Sequence, residues 1–420
     1  MSGLDERLAS AHLPALTRDA WLEIDVEALA GNYSLMRELA GPGVEAWAVV
    51  KSDGYGHGIE MAAEAFIGAG AERLCIATLD EALYLRRFGV TAPLVLLFPI
   101  PVLALETALQ AGGLELAASD GAGTRELLLR WQELAGSGTD AEGLALHLEI
   151  ETGLGRGGVP AEDAVALARQ IAQTPGIRLS GVWTHLATAE DEAACRRQVD
   201  EFEAAVAAIQ GAGINVPMRH MTASGALIAG HGPAYEAVRP GLAMYGVLPP
   251  DLPDTERVRD VARRLRPALV LKARPARIET LPVGAGVSYN SRWRAERPSR
   301  IATLPLGYGD GFARAYWPGA EVIAGGRRLP VVGTVAMDSV MVDITDAEDL
   351  TADDEMVLLG EKEGQAVDAD ELARRRNTIS WEVLTAMAQR LPRVYHARAV
   401  PLAVRTLLGL HRPSEGEENV

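Results

Sequence analysis

The segment AVVKSDGYGHG, residues 48–58, ends an apolar run on a lysine and follows it with three glycines, a tyrosine and a histidine. Only three of the 40 basic residues are lysines: Lys51, Lys272 and Lys362. A chain this biased toward arginine has kept lysine at position 51. Arginine can neither lose its proton nor form a Schiff base, and lysine does both. Three more polar residues lie at or just beyond the ends of apolar runs, Arg156 in ETGLGRGG, His185 closing LSGVWTH and Ser224 in TASG, and Arg239 lies within the run AVRPGLAMYG.

A single strand-end lysine or histidine is more often solvated or structurally paired than reactive. Five such groups converging on one rim point to a site. Lysine, serine and arginine together suit a bound phosphate and a covalently held cofactor, for which pyridoxal phosphate is the candidate. Gly241, near a turn, can bring a backbone N–H to a phosphate oxygen. GLGRGG at 153–158 also satisfies G-x-G-x-x-G between a strand and a helix. A dinucleotide site would need an acidic residue closing the next strand. That strand, LSGVWTH, has none, and Arg156 inside the loop suits a substrate carboxylate. No metal site is expected.

These residues must be positioned by strands. Eight short apolar runs lie between residues 43 and 246: 44–51, 73–78, 93–99, 114–119, 144–151, 179–185, 219–224 and 237–246. Amphipathic segments such as DEALYLRRFG and TRELLLRWQELAG separate most of them. Strands buried on both faces, each followed by a helix, are parallel strands with helical crossovers. Eight units predict a (β/α)8 TIM-like barrel of the α/β class over 15–262, whose strand C-termini face the site. After about residue 262 the texture becomes β-rich with Gly and Pro punctuation. This predicts a mostly antiparallel β C-terminal domain over 263–412, with one helical stretch at TISWEVLTAMAQRL and a polar tail over 413–420.

The 420 residues carry a formal net charge of −17. Nucleic acid and anionic membrane surfaces both require a basic face, so neither is expected as a partner. The most apolar stretch, APLVLLFPIPVLAL, is short and broken by prolines; it reads as a buried strand and a turn. Cys75 and Cys195 fit reduced thiols, and the N-terminus lacks an apolar h-region, so a cytoplasmic protein is expected.

Over residues 15–410 the sequence resembles the pyridoxal-phosphate-dependent alanine racemases. AVVKSDGYGHG is similar to that family's cofactor-lysine motif. VWTHLATA, HMTASGA, AVRPGLAMYG, GVSYN, LPLGYGDGF, VGTVAMDSV and LPRVY match further blocks in order. The resemblance implies an α/β barrel followed by a β-rich domain, and a homodimer with shared active sites. It implies that Lys51 carries the cofactor and is one of two bases, the other being Tyr289 of the second subunit. Tyr55, Ser224, Gly241, Leu242 and Tyr395 would hold the phosphate, and Arg239 would meet the ring nitrogen. His185 would link Arg239 to Tyr289. Arg156 and the Met337 backbone would contact the substrate carboxylate, while Tyr308, Arg314 and Asp338 would line the entry.

Inverting an α-carbon requires a base on each face. Lysine and tyrosine have reference pKa values near about 10 and must be tuned down, for which nearby arginines serve. The expected activity is racemisation of alanine, supplying D-alanine for peptidoglycan. A broader-specificity amino-acid racemase and, from another class, a cofactor-carrying homeostasis protein are the alternatives; the second domain with Tyr289 argues against the latter. One position departs from the pattern. Many family members carry a carbamylated lysine seven residues before the counterpart of Arg156, and here that position is Glu149. Its carboxylate is expected to orient Arg156, directly or through water or Glu151.

Overall fold

The computed structural model describes residues 3–136 and 143–413. Of the tail expected over 413–420, all but residue 413 lies outside the described residues. The chain divides into two compact units: Leu29–Gly54 with Ala62–Arg266, and Met1–Ala28 with Tyr55–Met61 and Pro267–Val420.

The first unit is the barrel. Its strands are Glu45–Ala46 continuing as Ala48–Val49, then Leu74–Ile76, Leu94–Leu96, Leu114–Ala118, Leu144–Glu149, Ile177–Trp183, Arg219–Ala223 and Ala237–Arg239. All pairings are parallel, each strand with its sequence neighbour. The first strand closes the sheet. Trp47 and Val49 donate their N–H groups to Val238 and Pro240, whereas Ala48 and Val50 donate to Arg73 and Cys75. One run therefore serves the second strand on one side and the eighth on the other. Helices follow as the amphipathic segments predict, among them Leu79–Arg87, Gly121–Gly136 and Glu192–Gly211. Thr78 begins the first of these with a capping box: its side chain accepts from Glu81 N–H while the Glu81 carboxylate accepts from Thr78 N–H.

The second unit is built on a sheet ordered Arg327–Pro330, Glu321–Ala324, Met356–Lys362, Leu269–Ala273, Ala20–Asp25, Arg393–Ala397, Val400–Thr406 and Gly409–His411. It is antiparallel except where Ala20–Asp25 runs parallel to Arg393–Ala397. A second sheet of Arg277–Leu281, Ser299–Leu304 and Val340–Asp343 is wholly antiparallel. Residues 15–28, read from sequence as part of the barrel, lie in this unit. Trp21 explains why: it is buried with Leu4, Leu8, Leu13, Val394 and Val404. The sequence pattern also gives no helix at Ala369–Arg376, yet one forms there, with Asp368 accepting from Glu371 N–H at its start.

Candidate active site

The rim of the barrel unit gathers Lys51, Glu149, Arg156, His185, Ser224, Arg239, Gly241 and Leu242, all at or just past strand C-termini. Lys51 follows the first strand after Val50, and the chain then makes a left-handed helical turn. Ser52, Asp53, Gly54 and Tyr55 have φ between 51° and 58°, and Gly54 N–H donates to Val50 O at 2.9 Å. Left-handed helix costs roughly 1–2 kcal/mol per L-residue, so surrounding contacts must hold the turn. One of them is visible: Ser52 N–H donates to the Glu81 carboxylate at 2.6 Å. Burial, then the Arg156 guanidinium and more weakly Arg239, hold the Lys51 ammonium below its ordinary pKa, with Glu81 and Cys75 opposing.

Arg239, at 2% exposure, is the buried cation of the site. Its Nη1 donates to His220 Nδ1 at 2.5 Å, and its Nη2 donates to Thr184 O at 2.9 Å and lies 3.3 Å from His185 Nδ1. The guanidinium also stacks over the Trp183 ring, 4.8 Å from its centroid. Burial pulls Arg239 down to about 10. Burial, Arg239, Arg156 and Lys51 push His185 down to about 3, so its imidazole is neutral. Because a guanidinium only donates, His185 Nδ1 accepts and its proton sits on Nε2.

Arg156 stands on a loop that folds back on itself. The Glu151 carboxylate accepts from Gly153 and Gly155 N–H, Gly158 N–H donates to Ser119 O at 2.7 Å, and Val159 N–H donates to Glu149 O at 2.8 Å. Gly158 has φ +103°, and a Cβ there would lie 2.5 Å from Glu151 N. The loop's own folding thus accounts for that glycine. The Arg156 guanidinium lies 5.3 Å from the Phe98 ring centroid, with Nη2 3.9 Å from Glu149 Oε1. The two charges are neighbours, not a bidentate pair. Burial raises the Glu149 pKa against the pull of Ser119 and Arg156.

Ser224 is buried, and its Oγ receives Gly241 N–H at 2.8 Å and Ala243 N–H at 3.4 Å. With its oxygen accepting from these two N–H groups, the Ser224 hydroxyl has its own proton to donate, as a phosphate requires. With a lysine amine of lowered pKa and a buried arginine in the same rim, the residues present fit pyridoxal phosphate.

The other expected residues lie in the second unit. Tyr55 and Tyr395 are both buried there, and a Cβ at Gly58 would lie 1.9 Å from the Tyr395 hydroxyl. Tyr289, Tyr308 and Met337 are exposed, at 68%, 42% and 51%. Their segments are knitted together: Ser288 Oγ donates to Thr334 O, Tyr308 N–H to Ala336 O and Gly309 N–H to Met337 O. Asp338 accepts from Arg390 Nη2 at 2.6 Å, and Arg314 opens a short 3-10 turn.

The sequence matches the alanine racemase N-terminal domain over residues 24–249 and the alanine racemase C-terminal domain over 268–395. The chain belongs to the alanine racemase family. The alanine racemase of Symbiobacterium thermophilum is 36% identical over 386 residues, covering 90% of this chain and 97% of that one. That of Desulfosudis oleivorans is 33% identical over 388 residues, covering 90% and 96%. Among solved structures, the Bacillus anthracis alanine racemase with bound L-Ala-P superposes with a TM-score of 0.85 at 30% identity, covering 94% of this chain and 99% of that one. The enzyme from D-cycloserine-producing Streptomyces lavendulae gives 0.81 at 31%, covering 91% and 98%.

The family's α/β barrel and β-rich domain are therefore both present in this chain. Four residues at the site escaped the sequence reading: Trp183, Gln198, His220 and, behind His220, His147. Gln198 Nε2 donates to Thr152 Oγ1 at 3.0 Å and His185 O at 3.2 Å, while its Oε1 accepts from Ala187 N–H at 2.8 Å. It thereby fixes the segment that carries His185. His147 had a signal, as a polar residue inside the apolar run LALHL; His220, between Arg219 and Thr222, had none.

Proposed function

We propose that this chain interconverts L- and D-alanine with pyridoxal phosphate as cofactor, acts as a homodimer, and supplies D-alanine for peptidoglycan. The observation that carries the reading is a lysine amine held below its ordinary pKa in one rim with a buried arginine whose side-chain hydrogen-bond partners are imidazoles. Ser224, Gly241, Leu242, Tyr55 and Tyr395 would hold the cofactor phosphate, and Lys51 its reactive end. When bound, the cofactor supplies the electron delocalisation that lets an amino-acid α-proton leave.

The remaining work falls to side chains. Lys51 Nζ takes or returns the proton on one face, and Tyr289 Oη of the partner subunit does so on the other. Arg239 keeps its own proton, so it presents only donors to the ring nitrogen. His185, with Nδ1 committed to Arg239, has its Nε2–H to offer Tyr289. Arg156 and the Met337 backbone bind the substrate carboxylate, and the Glu149 charge steadies Arg156. Tyr308, Arg314 and Asp338 line the way in.

The test is to incubate the cofactor-loaded protein with L-alanine, and separately with D-alanine, and to follow both by chiral chromatography. Enantiomers have equal free energy, so both reactions should end at an equimolar mixture. Pyruvate or a decarboxylated amine as the product, or no change at all, would overturn the reading. Equal rates with larger amino acids would replace alanine by a broader substrate class.

A further inference from the structure

Beyond Arg239, the interior of the barrel holds a row of polar groups that the reaction above does not use. It starts at Arg239, whose Nη1 donates to His220 Nδ1. His220 Nε2 lies 3.0 Å from His147 Nδ1, and His147 Nε2 lies 2.6 Å from Glu115 Oε2. The other Glu115 oxygen accepts from Arg73 Nε at 3.3 Å, and Arg73 Nη1 pairs with Glu45. His220 and His147 are 0% and 1% exposed.

Donor chemistry sets the order of protons along the row. Arginine cannot accept, so His220 Nδ1 must, and its proton sits on Nε2. That proton points to His147 Nδ1, which must also accept. The His147 proton then sits on Nε2 and points to the Glu115 carboxylate. Both imidazoles are neutral, and their dipoles run the same way.

Two roles are open to such a row: moving a proton or fixing a charge. Guanidinium groups stand at both ends, and arginine does not exchange its proton at working pH. The row therefore cannot relay protons to or from the rim. It can hold a guanidinium in one plane and give it a distant counter-charge.

The surroundings are built around it. Trp183 stacks on His220 with 8° between planes and 5.7 Å between centroids, and Trp47 packs on both imidazoles. Gly181 breaks an otherwise well-filled strand; a Cβ there would lie 2.6 Å from His147 Nδ1. Glycine inside a strand weakens it, which makes sense where another group must approach closely.

We propose that Glu115, His147 and His220 are positioning residues that orient Arg239 and set its field at the cofactor ring. The proposal rests on the reading that Arg239 meets the ring nitrogen. The Glu115 carboxylate, pushed up by burial but pulled further down by His147 and Arg73, lies below its ordinary pKa and so is an anion. Burial and the guanidiniums of Arg239 and Arg73 hold His220 well below its ordinary value. The groups facing Arg239 also include Cys75, Glu149 and Arg156.

The first test reads protons directly. In the holoenzyme with 15N-labelled histidine, both rings should show the Nε2–H tautomer, and His220 should keep it from about pH 5.5 to 8.5. A Nδ1–H tautomer in either ring, or titration of His220 in that range, would overturn the proposal whatever the enzyme racemises. The second test is a cycle. Glu115→Gln keeps the size and an acceptor for His147 but removes the charge. It should lower the thermal midpoint, because a buried carboxylate of depressed pKa stabilises the fold, but should retain the cofactor load, lower kcat by about tenfold with KM changed little, and alter the cofactor's absorption band. In an Arg239→Lys background the same change should cost nothing further. Full additivity, or a wild-type kcat for Glu115→Gln, would defeat the proposal. His147→Gln, placed in the same cycle, guards against misfolding of one variant.

Discussion

Lys272 and Lys362 show what an ordinary lysine does in this chain. Lys272 Nζ lies 3.1 Å from both the Glu23 and Glu355 carboxylates, and Lys362 Nζ donates to Glu355 O at 2.7 Å. Both are structural cations. Lys51 differs in environment, with burial and two guanidiniums disfavouring its charge. Borohydride reduction of the cofactor-loaded protein should therefore fix the label on Lys51 alone, as peptide mapping would show. Cofactor uptake by the stripped protein should quicken with pH, with a midpoint below the ordinary lysine value of about 10.4. Glu149 gives a second prediction. Its pKa is raised by burial, so its ionised form is disfavoured in the folded state and its contribution to stability falls as pH rises through that value. Glu149→Gln should then keep the thermal midpoint at neutral pH. It should raise KM for alanine by up to about fivefold, since a pair this exposed on the Arg156 side is worth at most about 1 kcal/mol. A fallen midpoint with unchanged KM would make Glu149 a packing residue.

At the scale of elements, Asp310 ties together the segments that bear Tyr308, Met337 and Asp338. It is fully buried and pairs with Arg18 at 2.8 Å and Arg390 at 2.8 Å, and it accepts from Gly307 N–H at 3.0 Å. Burial pushes its pKa up, but Arg18, Gly307 N–H and Arg390 outweigh that and hold it low. A depressed carboxylate stabilises above its unfolded pKa and loses that contribution as pH falls through the folded value. Asp310→Asn should cost up to about 3 kcal/mol, the low end for a broken buried pair because both arginines keep some exposure. Its stability should also be less sensitive to acid than the wild type; equal acid sensitivity in a denaturation series would contradict this. The pair Arg18 and Asp310 shows why such a clamp was not legible, since 292 residues separate them. The barrel strands were legible because burial on both faces leaves an apolar run. Ala20–Asp25 was not, because it leads into a helix just as a barrel strand does. In the turn after Lys51, the glycine at 54 hints at positive φ, but nothing local marks Ser52, Asp53 and Tyr55 as left-handed.

At the scale of the whole molecule, the proposed dimer makes each site depend on two chains. Mixing Lys51→Ala with Tyr289→Phe subunits should regenerate one intact site in each hybrid dimer. Activity should approach a quarter of wild type after full exchange, given random pairing with half the dimers hybrid and one site of two intact in each. Demonstrated exchange without recovery would place Tyr289 in its own chain's site. No helix among the described residues is long and apolar enough to cross a membrane.

The strand Ala20–Asp25 has one further consequence, for synthesis. Its hydrogen-bonding partners are Leu269–Ala273 and Arg393–Ala397. On the ribosome it emerges before either exists. At about 5–20 residues per second, the first partner follows roughly 12–50 s later and the second roughly 18–75 s later. Every barrel strand is translated inside that interval. The nascent chain therefore carries a finished set of barrel strands while Trp21, Leu22 and Ile24 wait on an unpaired edge. That waiting edge, more than the barrel, is where a chaperone would be needed and where misassembly between neighbouring nascent chains would start.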